Sequence, residues 1–312
     1  MDSAAIDRFE ASRGRLASLA YRLLGSAADA EDAVQDTFLR WQAADRERIE
    51  VPQAWLTKVV TNLCLDRLRS AQARHERAAG DWLPEPLLEG DPMLGPAETF
   101  EQRESVSLAV LTLMERLSPI ERAAYVLREA FSYPHAEIAG ILGITESASQ
   151  QHVHRARRRI AAERRGGDEA DPASARRIVE EFLAAAASGR TERLVALLTD
   201  DVTAISDGYG LARRLLRFTT RERIASYVRG GFTPTAAKRR MAGGSPAFHV
   251  ALVNGSPAVL AVVNDRIVGI VAFEVSDDRI ASLRGIATTD RLARLNEAWQ
   301  QQGTDAPVLH AW

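Results

Sequence analysis

The stretch from Ser118 to Ile160, SPIERAAYVLREAFSYPHAEIAGILGITESASQQHVHRARRRI, leaves the chain few conformational choices. Ser118, Pro119 and Glu121 stand in the order of an N-cap, a first-turn proline and a third-position glutamate, which together start a helix. Pro134 opens a second, short helix with Ile138, Ala139 and Leu142 facing inward, and Gly143 can take the left-handed conformation that ends it. Thr145 then caps a third helix whose seam is Ala148, Val153, Ala156 and Ile160. Two short helices joined by a tight glycine turn predict a helix-turn-helix.

The outer face of that last helix carries Ser147, Gln150, Gln151, His154, Arg155 and Arg158. A helix of this width enters the major groove of DNA, where Gln150 or Gln151 pairs with adenine and Arg155 or Arg158 meets guanine or a phosphate. His152 and His154 lie two apart and cannot share a metal, and no cysteine cluster assists them. No metal and no cofactor are expected.

Charge restricts where such contacts can occur. The chain has 312 residues, 40 basic and 42 acidic, with a formal net charge of -2. A nucleic-acid surface must therefore come from uneven placement of charge. The hydrophobic fraction of 46% suits two or three small domains. One cysteine, Cys64, excludes an intramolecular disulfide. No apolar run approaches the roughly 18 residues that span a bilayer, and the N-terminus lacks the order of a signal peptide. A cytoplasmic protein without a membrane partner is expected, monomeric when free.

Three blocks and a tether follow from the pattern. Residues 6–77 read as helical: Leu16, Leu19, Leu23 and Leu24 recur at helical spacing, Gly25 ends that helix, and Ser26 caps the next. Ala30, Val34, Phe38 and Trp41 form the buried stripe of the second helix, opposite Asp29, Asp32, Gln35, Asp36 and Arg40. Acids there can serve the helix dipole or a basic partner. Pro52 opens a third helix with Trp55, Val59, Leu63 and Leu68 inward and Asn62, Asp66, Arg67 and Arg69 outward. Residues 78–98 form an acidic tether whose prolines favour an extended path. It contains Trp82, Leu83, Pro84, Glu85 and Pro86. Residues 99–165 form the second helical block, and Gly166 and Gly167 mark a break. Residues 171–300 read as α+β. One helix carries Ile178, Val179, Phe182 and Leu183, and a second carries Leu194, Val195 and Leu198. A curled antiparallel sheet follows, punctuated by NGSP, NDR and SDDR.

SAADAEDAVQDTFLRW, followed by PQAWLTKVVTNLCLDRLRS, resembles the first conserved domain of extracytoplasmic-function sigma factors, and the stretch from Leu117 to Ile160 resembles their second. DWLPEP resembles the linker signature of the subgroup carrying a fused SnoaL-like domain. The resemblance implies two all-α sigma domains followed by an α+β, NTF2-like, cone-shaped domain. It implies that Asp29, Asp32, Gln35, Asp36 and Leu39 meet the polymerase β′ clamp, with the β flap as a further core contact. Asn62, Asp66, Arg67 and Arg69 would lie at the minus-ten element, the loop 43–53 would capture a flipped base, and the helix-turn-helix would read the minus-thirty-five element. It further implies that the tether threads toward the polymerase channels and that the last domain regulates in cis. Gln150 and His152 stand where many members are basic. The subgroup's two C-terminal motifs are matched in part, by Asp207, Gly208 and Gly210 and by Asp290 and Leu292.

Two other classes compete. A cyclase- or isomerase-like enzyme would use Asp207, His249, Asp265 or Glu274 in an apolar cavity; these form no convincing constellation, so no enzyme is expected, and an unidentified small-molecule ligand is the alternative occupant. A one-component repressor would instead bind an operator tightly as a symmetric dimer.

Overall fold

Three helices open the chain, the second started by the Ser26 cap and the third by Pro52. The computed structural model describes residues 3–73, 82–95, 102, 104–163, 171–208, 215–233, 235–301 and 306–310. Asp81, Gly166, Gly167 and Gly210, all used above, lie outside the described residues. Helices α1 (Ser3–Leu24), α2 (Ala27–Ala43) and α3 (Pro52–Ala73) pack on one another. Ser26 caps α2 by accepting from the Asp29 amide. Trp41 is buried, and its indole N–H donates to the Ala5 carbonyl at 2.9 Å. Leu63 and Leu68 of α3 are core as expected, but over its first turns the inward stripe runs one residue later than expected. Leu56 and Val60 are core, whereas Trp55 and Val59 are half-buried, because Trp55 leans on the Trp41 ring, centroids 5.7 Å apart.

The next helices are α4 (Leu108–Met114), α5 (Pro119–Glu129), α6 (His135–Leu142) and α7 (Glu146–Glu163). The capping box of α5 is complete, with Ser118 and Glu121 bonded in both directions. Gly143 closes α6 at φ 67°, and Thr145 caps α7 through the Ala148 amide. Ser149, overlooked in the sequence, is fully buried and bonds His135 Nδ1 at 3.0 Å, pinning α6 to α7.

The described residues separate into two units, 1–85 with 90–163 and 86–89 with 164–312. The second holds α8 (Pro172–Ala187), α9 (Thr191–Ala196), α10 (Arg221–Phe232), α11 (Ala236–Ala242) and α12 (Ala293–Gln301). Its sheet comprises β1 (Leu198–Ser206), β2 (Leu216–Phe218), β3 (Ala247–Val253), β4 (Ser256–Val263), β5 (Arg266–Ser276), β6 (Arg279–Ile286) and β7 (Leu309–His310), ordered β2-β1-β6-β5-β4-β3-β7. The strands from β3 to β6 are hairpins whose turns, Asn254–Gly255, Asn264–Asp265 and Asp277–Asp278, all have positive φ at both positions, the geometry that matches strand twist.

Two expectations need correction. The sheet is mixed, because β1 lies parallel to β6. Leu198 belongs to no helix: α9 stops at Ala196 and Leu198 begins β1, where it is fully buried. The core lies between the sheet and α8 to α10, with Phe182 edge-on to Phe273 at 5.7 Å.

Candidate nucleic-acid interface

Helix α7 presents every side chain assigned to its outer face: Ser147, Gln150, Gln151, His154, Arg155 and Arg158 are exposed. Their charges are not equally available. Arg155 Nε donates to Glu121 at 3.1 Å, Arg159 donates to the same carboxylate at 2.7 Å, and Arg157 pairs with Glu129 at 2.8 Å. Burial alone would push the Glu121 carboxyl up. The hydrogen bonds from the Ser118 backbone and hydroxyl, with Arg159 and Arg155, outweigh it and hold the carboxyl below the usual carboxylate range. Burial, and then Arg155, lower the His152 pKa against the pull of Glu121, so that imidazole is neutral at neutral pH. Amide-rich Gln150 and Gln151, flanked by Arg158, dominate the readable face.

On α2, Asp32, Gln35 and Leu39 are exposed, whereas Asp29 and Asp36 are half-buried. Leu39 is 54% exposed. Arg67 leaves the outer face expected for it. It donates to Asp36 at 2.9 Å and to the Asp29 carbonyl, so α2 and α3 are joined by two residues assigned to separate surfaces. Arg69 pairs with Asp66 at 3.4 Å, both exposed, and Asn62 is half-buried. The loop between α2 and α3 carries Val51, 59% exposed, beside an open groove lined by Ile49, Trp55, Lys58, Tyr133 and Glu137.

Within this helical unit, α3 meets the chain leading into α6: Thr57 Oγ1 and Tyr133 Oη are 3.2 Å apart. Arg15 of α1 lies over the rings of Phe131 and Tyr133 at 5.1 and 5.3 Å. Beneath this lies a cluster that the sequence reading missed. Arg22, 1% exposed, donates to Ser105 Oγ at 3.0 Å and to the Leu94 carbonyl at 2.9 Å. Burial lowers its pKa to about 10, against an opposing contribution from Tyr21. Arg122, 2% exposed, donates to the Arg22 carbonyl at 3.3 Å and pairs with buried Glu115. The available signal was register, since Arg22 falls on the Leu19–Leu23 stripe, where a charge must be buried.

The tether is not a free strap. Leu83, Pro84 and Pro86 are buried and Trp82 and Glu85 half-buried. In the helical unit, Glu85 accepts from the Tyr21 hydroxyl at 2.6 Å and from the Ala27 amide at 2.7 Å, and its own amide donates to Gly25. Gly25 has φ 65°, and a Cβ there would lie 2.5 Å from the Trp82 ring. In the second unit, 86–89 lies along β3 through one isolated antiparallel bridge and a few hydrogen bonds. Leu88 bridges Val253, the Asn254 amide donates to the Leu87 carbonyl at 2.9 Å, the Leu87 amide donates to Asn254 Oδ1 at 2.8 Å, and the Glu89 amide donates to Leu252 at 3.0 Å.

The acids named for catalysis are otherwise employed. Asp207 accepts from the Ala287 and Thr288 amides and the Thr288 hydroxyl, each at 2.8 Å, and Glu274 accepts from Ser282. His249 is buried edge-on to Trp299, and Asp265 sits in a turn. Gly208 has φ 62° and donates to Ser206; Leu292 is buried and Asp290 exposed. Among the described residues no group of His, Cys, Asp and Glu could hold a metal, and no helix is long and apolar enough to cross a membrane.

Residues 8–74 match the family model of sigma-70 region 2, and residues 107–160 match that of sigma-70 region 4. The chain is 37% identical over 296 residues to the ECF RNA polymerase sigma factor SigJ of Mycobacterium tuberculosis, covering 92% of each. It is 32% identical over 281 residues to the probable ECF RNA polymerase sigma factor SigI of the same species, covering 88% of this chain and 90% of that one. The crystal structure of Mycobacterium tuberculosis SigJ superposes with a TM-score of 0.70 at 33% identity, covering 93% of this chain and 98% of that one. Similarity at these identities across nearly the whole length means that the chain belongs to the extracytoplasmic-function sigma factors of the sigma-70 family, which direct RNA polymerase in transcription initiation.

Proposed function

We propose that this sigma factor is regulated in cis by its second unit, acting on the tether, and that it belongs to the subgroup with a WLPEP linker and a fused SnoaL-like, cone-shaped domain. The observation that carries the regulatory reading is the segment Pro86–Glu89, held on β3 by main-chain hydrogen bonds and by Asn254. A segment added to a sheet edge gains affinity from its backbone. While so held it is not available to follow a polymerase channel.

In this reading exposed Asp32, Gln35 and Leu39, with Asp29 and Asp36, dock on the polymerase clamp. Asn62, Asp66 and Arg69 serve the minus-ten element, and α7 serves the minus-thirty-five element. The two elements lie about 25 base pairs apart, or about 85 Å of B-form duplex. The Thr57–Tyr133 contact holds the corresponding regions together, which supports a free form unable to engage both elements at once. Polymerase docking would have to separate them.

The test is in vitro transcription with core polymerase, comparing the full chain with one ending at Gly167. The expected result is a changed promoter output. Equal polymerase binding and equal output from the two chains would sink the regulatory reading. An operator-binding dimer active without polymerase would sink the sigma assignments.

A further inference from the structure

The second unit is electrically lopsided. Between residues 171 and 312 there are 18 arginines and lysines and 15 acids, yet from Arg213 to Arg240 there are 9 of the former and only Glu222 of the latter. The described part of that stretch, residues 215–233 and 235–240, contains β2, α10 and α11. Phe218 of β2 lies against Tyr227 of α10, centroids 4.7 Å apart. Lys238 of α11 donates to the carbonyls of Gly230 and Thr233 at the end of α10. Arg217, Arg223, Arg229, Arg239 and Arg240 are all exposed along it. Arg221 is half-buried and pairs with Asp200 at 2.6 Å.

Local stability does not account for this placement. Arg239 and Arg240 in the last turn of α11 suit its dipole, but Arg223 sits in the first turn of α10, where a cation is unfavourable. The exposed cations of this strip are spread over two helices and an edge strand. A rigid polyanion fits such spacing: duplex DNA presents a charge about every 1.7 Å along its axis.

We infer that β2, α10 and α11 form a sequence-independent binding surface for the phosphate backbone of duplex DNA. The base-reading faces of α3 and α7 supply specificity, and this strip supplies salt-sensitive affinity. The inference goes beyond regulation through the tether and does not depend on it.

The test uses the full chain and a fluorescent duplex of arbitrary sequence, with anisotropy measured from 50 to 200 mM KCl. R223Q/R239Q/R240Q should flatten the slope of log affinity against log salt by about 2.7, at about 0.9 per phosphate contact. This equals about 40-fold less affinity lost across that range. The substitution Q150A/R158A on α7 should leave the strip's share of the slope in place. A photoreactive residue at exposed Ser226, one turn from Arg223, should crosslink to the duplex. An unchanged slope in the triple variant, with its melting temperature unchanged, overturns the proposal. So does loss of binding to phosphatidylserine vesicles without loss on DNA, which would assign the strip to a membrane surface. Promoter-dependent transcription, assayed in parallel, reports separately on the sigma reading.

Discussion

Glu121 shows how one side chain can serve both fold and interface. It closes the capping box of α5 and holds Arg155 and Arg159 of α7. Glu121→Gln keeps the shape but removes the charge, and should cost about 1–3 kcal/mol in urea unfolding at pH 7. Because the carboxyl is held below the usual range in the folded state, the folded protein binds this proton more weakly than the unfolded chain does. Its contribution is complete above the unfolded pKa and disappears as pH falls through the folded value. The wild type should therefore lose stability relative to the glutamine variant on going from pH 5 to acid, and parallel pH profiles would contradict this. Cys64 offers a second reading at this scale. It is fully buried, and burial pushes its thiol up to about 12, with Arg67 and Arg122 pulling down and Asp29 adding to the rise. It should resist alkylation at pH 8 until the helical unit opens, so a fast native reaction would show that the unit opens locally.

At the scale of elements, one side chain, Asn254, joins the main-chain bonds that hold the tether segment on β3. Asn254 occupies a positive-φ turn position, and its carboxamide oxygen accepts from the Leu87 amide. Asn254→Gly keeps the turn and deletes the acceptor, at about 1–3 kcal/mol for a buried amide left without its partner. Hydrogen exchange at Leu87 and Glu89 should speed up while β4–β5 amides remain protected, and uniform acceleration would point to global loosening instead. What could be read in advance follows the same division between local and distant causes. Caps and turns declare themselves within a few residues, so Ser118, Gly143, Asn254, Asn264 and Asp277 stood where expected. β1 was hidden because Leu198 continues the apolar spacing of α9, while two acids, Asp200 and Asp201, interrupt its alternation. Its parallel pairing with β6 joins segments some eighty residues apart and has no local signature. The one-residue shift of the α3 stripe came from the Trp41–Trp55 contact, and the diversion of Arg67 to Asp36 from packing between helices. Neither is written in the spacing of α3 itself.

The scale of the whole molecule enters through Arg122 of α5: its bond to the Arg22 carbonyl ties the region 4 helices to α1 inside one unit, while its buried ion pair with Glu115 stays within region 4. Burying two charges is a poor way to gain stability, since well-packed apolar groups often do as well. Removing only one partner, however, leaves the other charge stranded at a cost of about 3–5 kcal/mol. Such a lock holds firmly and yields when a competing surface offers more than that. Arg122→Met should therefore loosen the joint without melting the helices. With dyes placed at Arg40 and Gln150, energy transfer should fall while far-ultraviolet circular dichroism is unchanged, and core-polymerase-dependent transcription should rise. Combining it with Glu115→Leu removes the stranded carboxylate and should recover the lost stability but not the transfer, because the bond to the Arg22 carbonyl is still missing. If Arg122→Met changed neither, polymerase binding would have to open the helical unit elsewhere, with the Thr57–Tyr133 contact and the Arg15 cation–π stack as the next joints to break. If the double variant restored the transfer, the stranded Glu115 carboxylate, rather than loss of the bond to the Arg22 carbonyl, would be what drives the two regions apart.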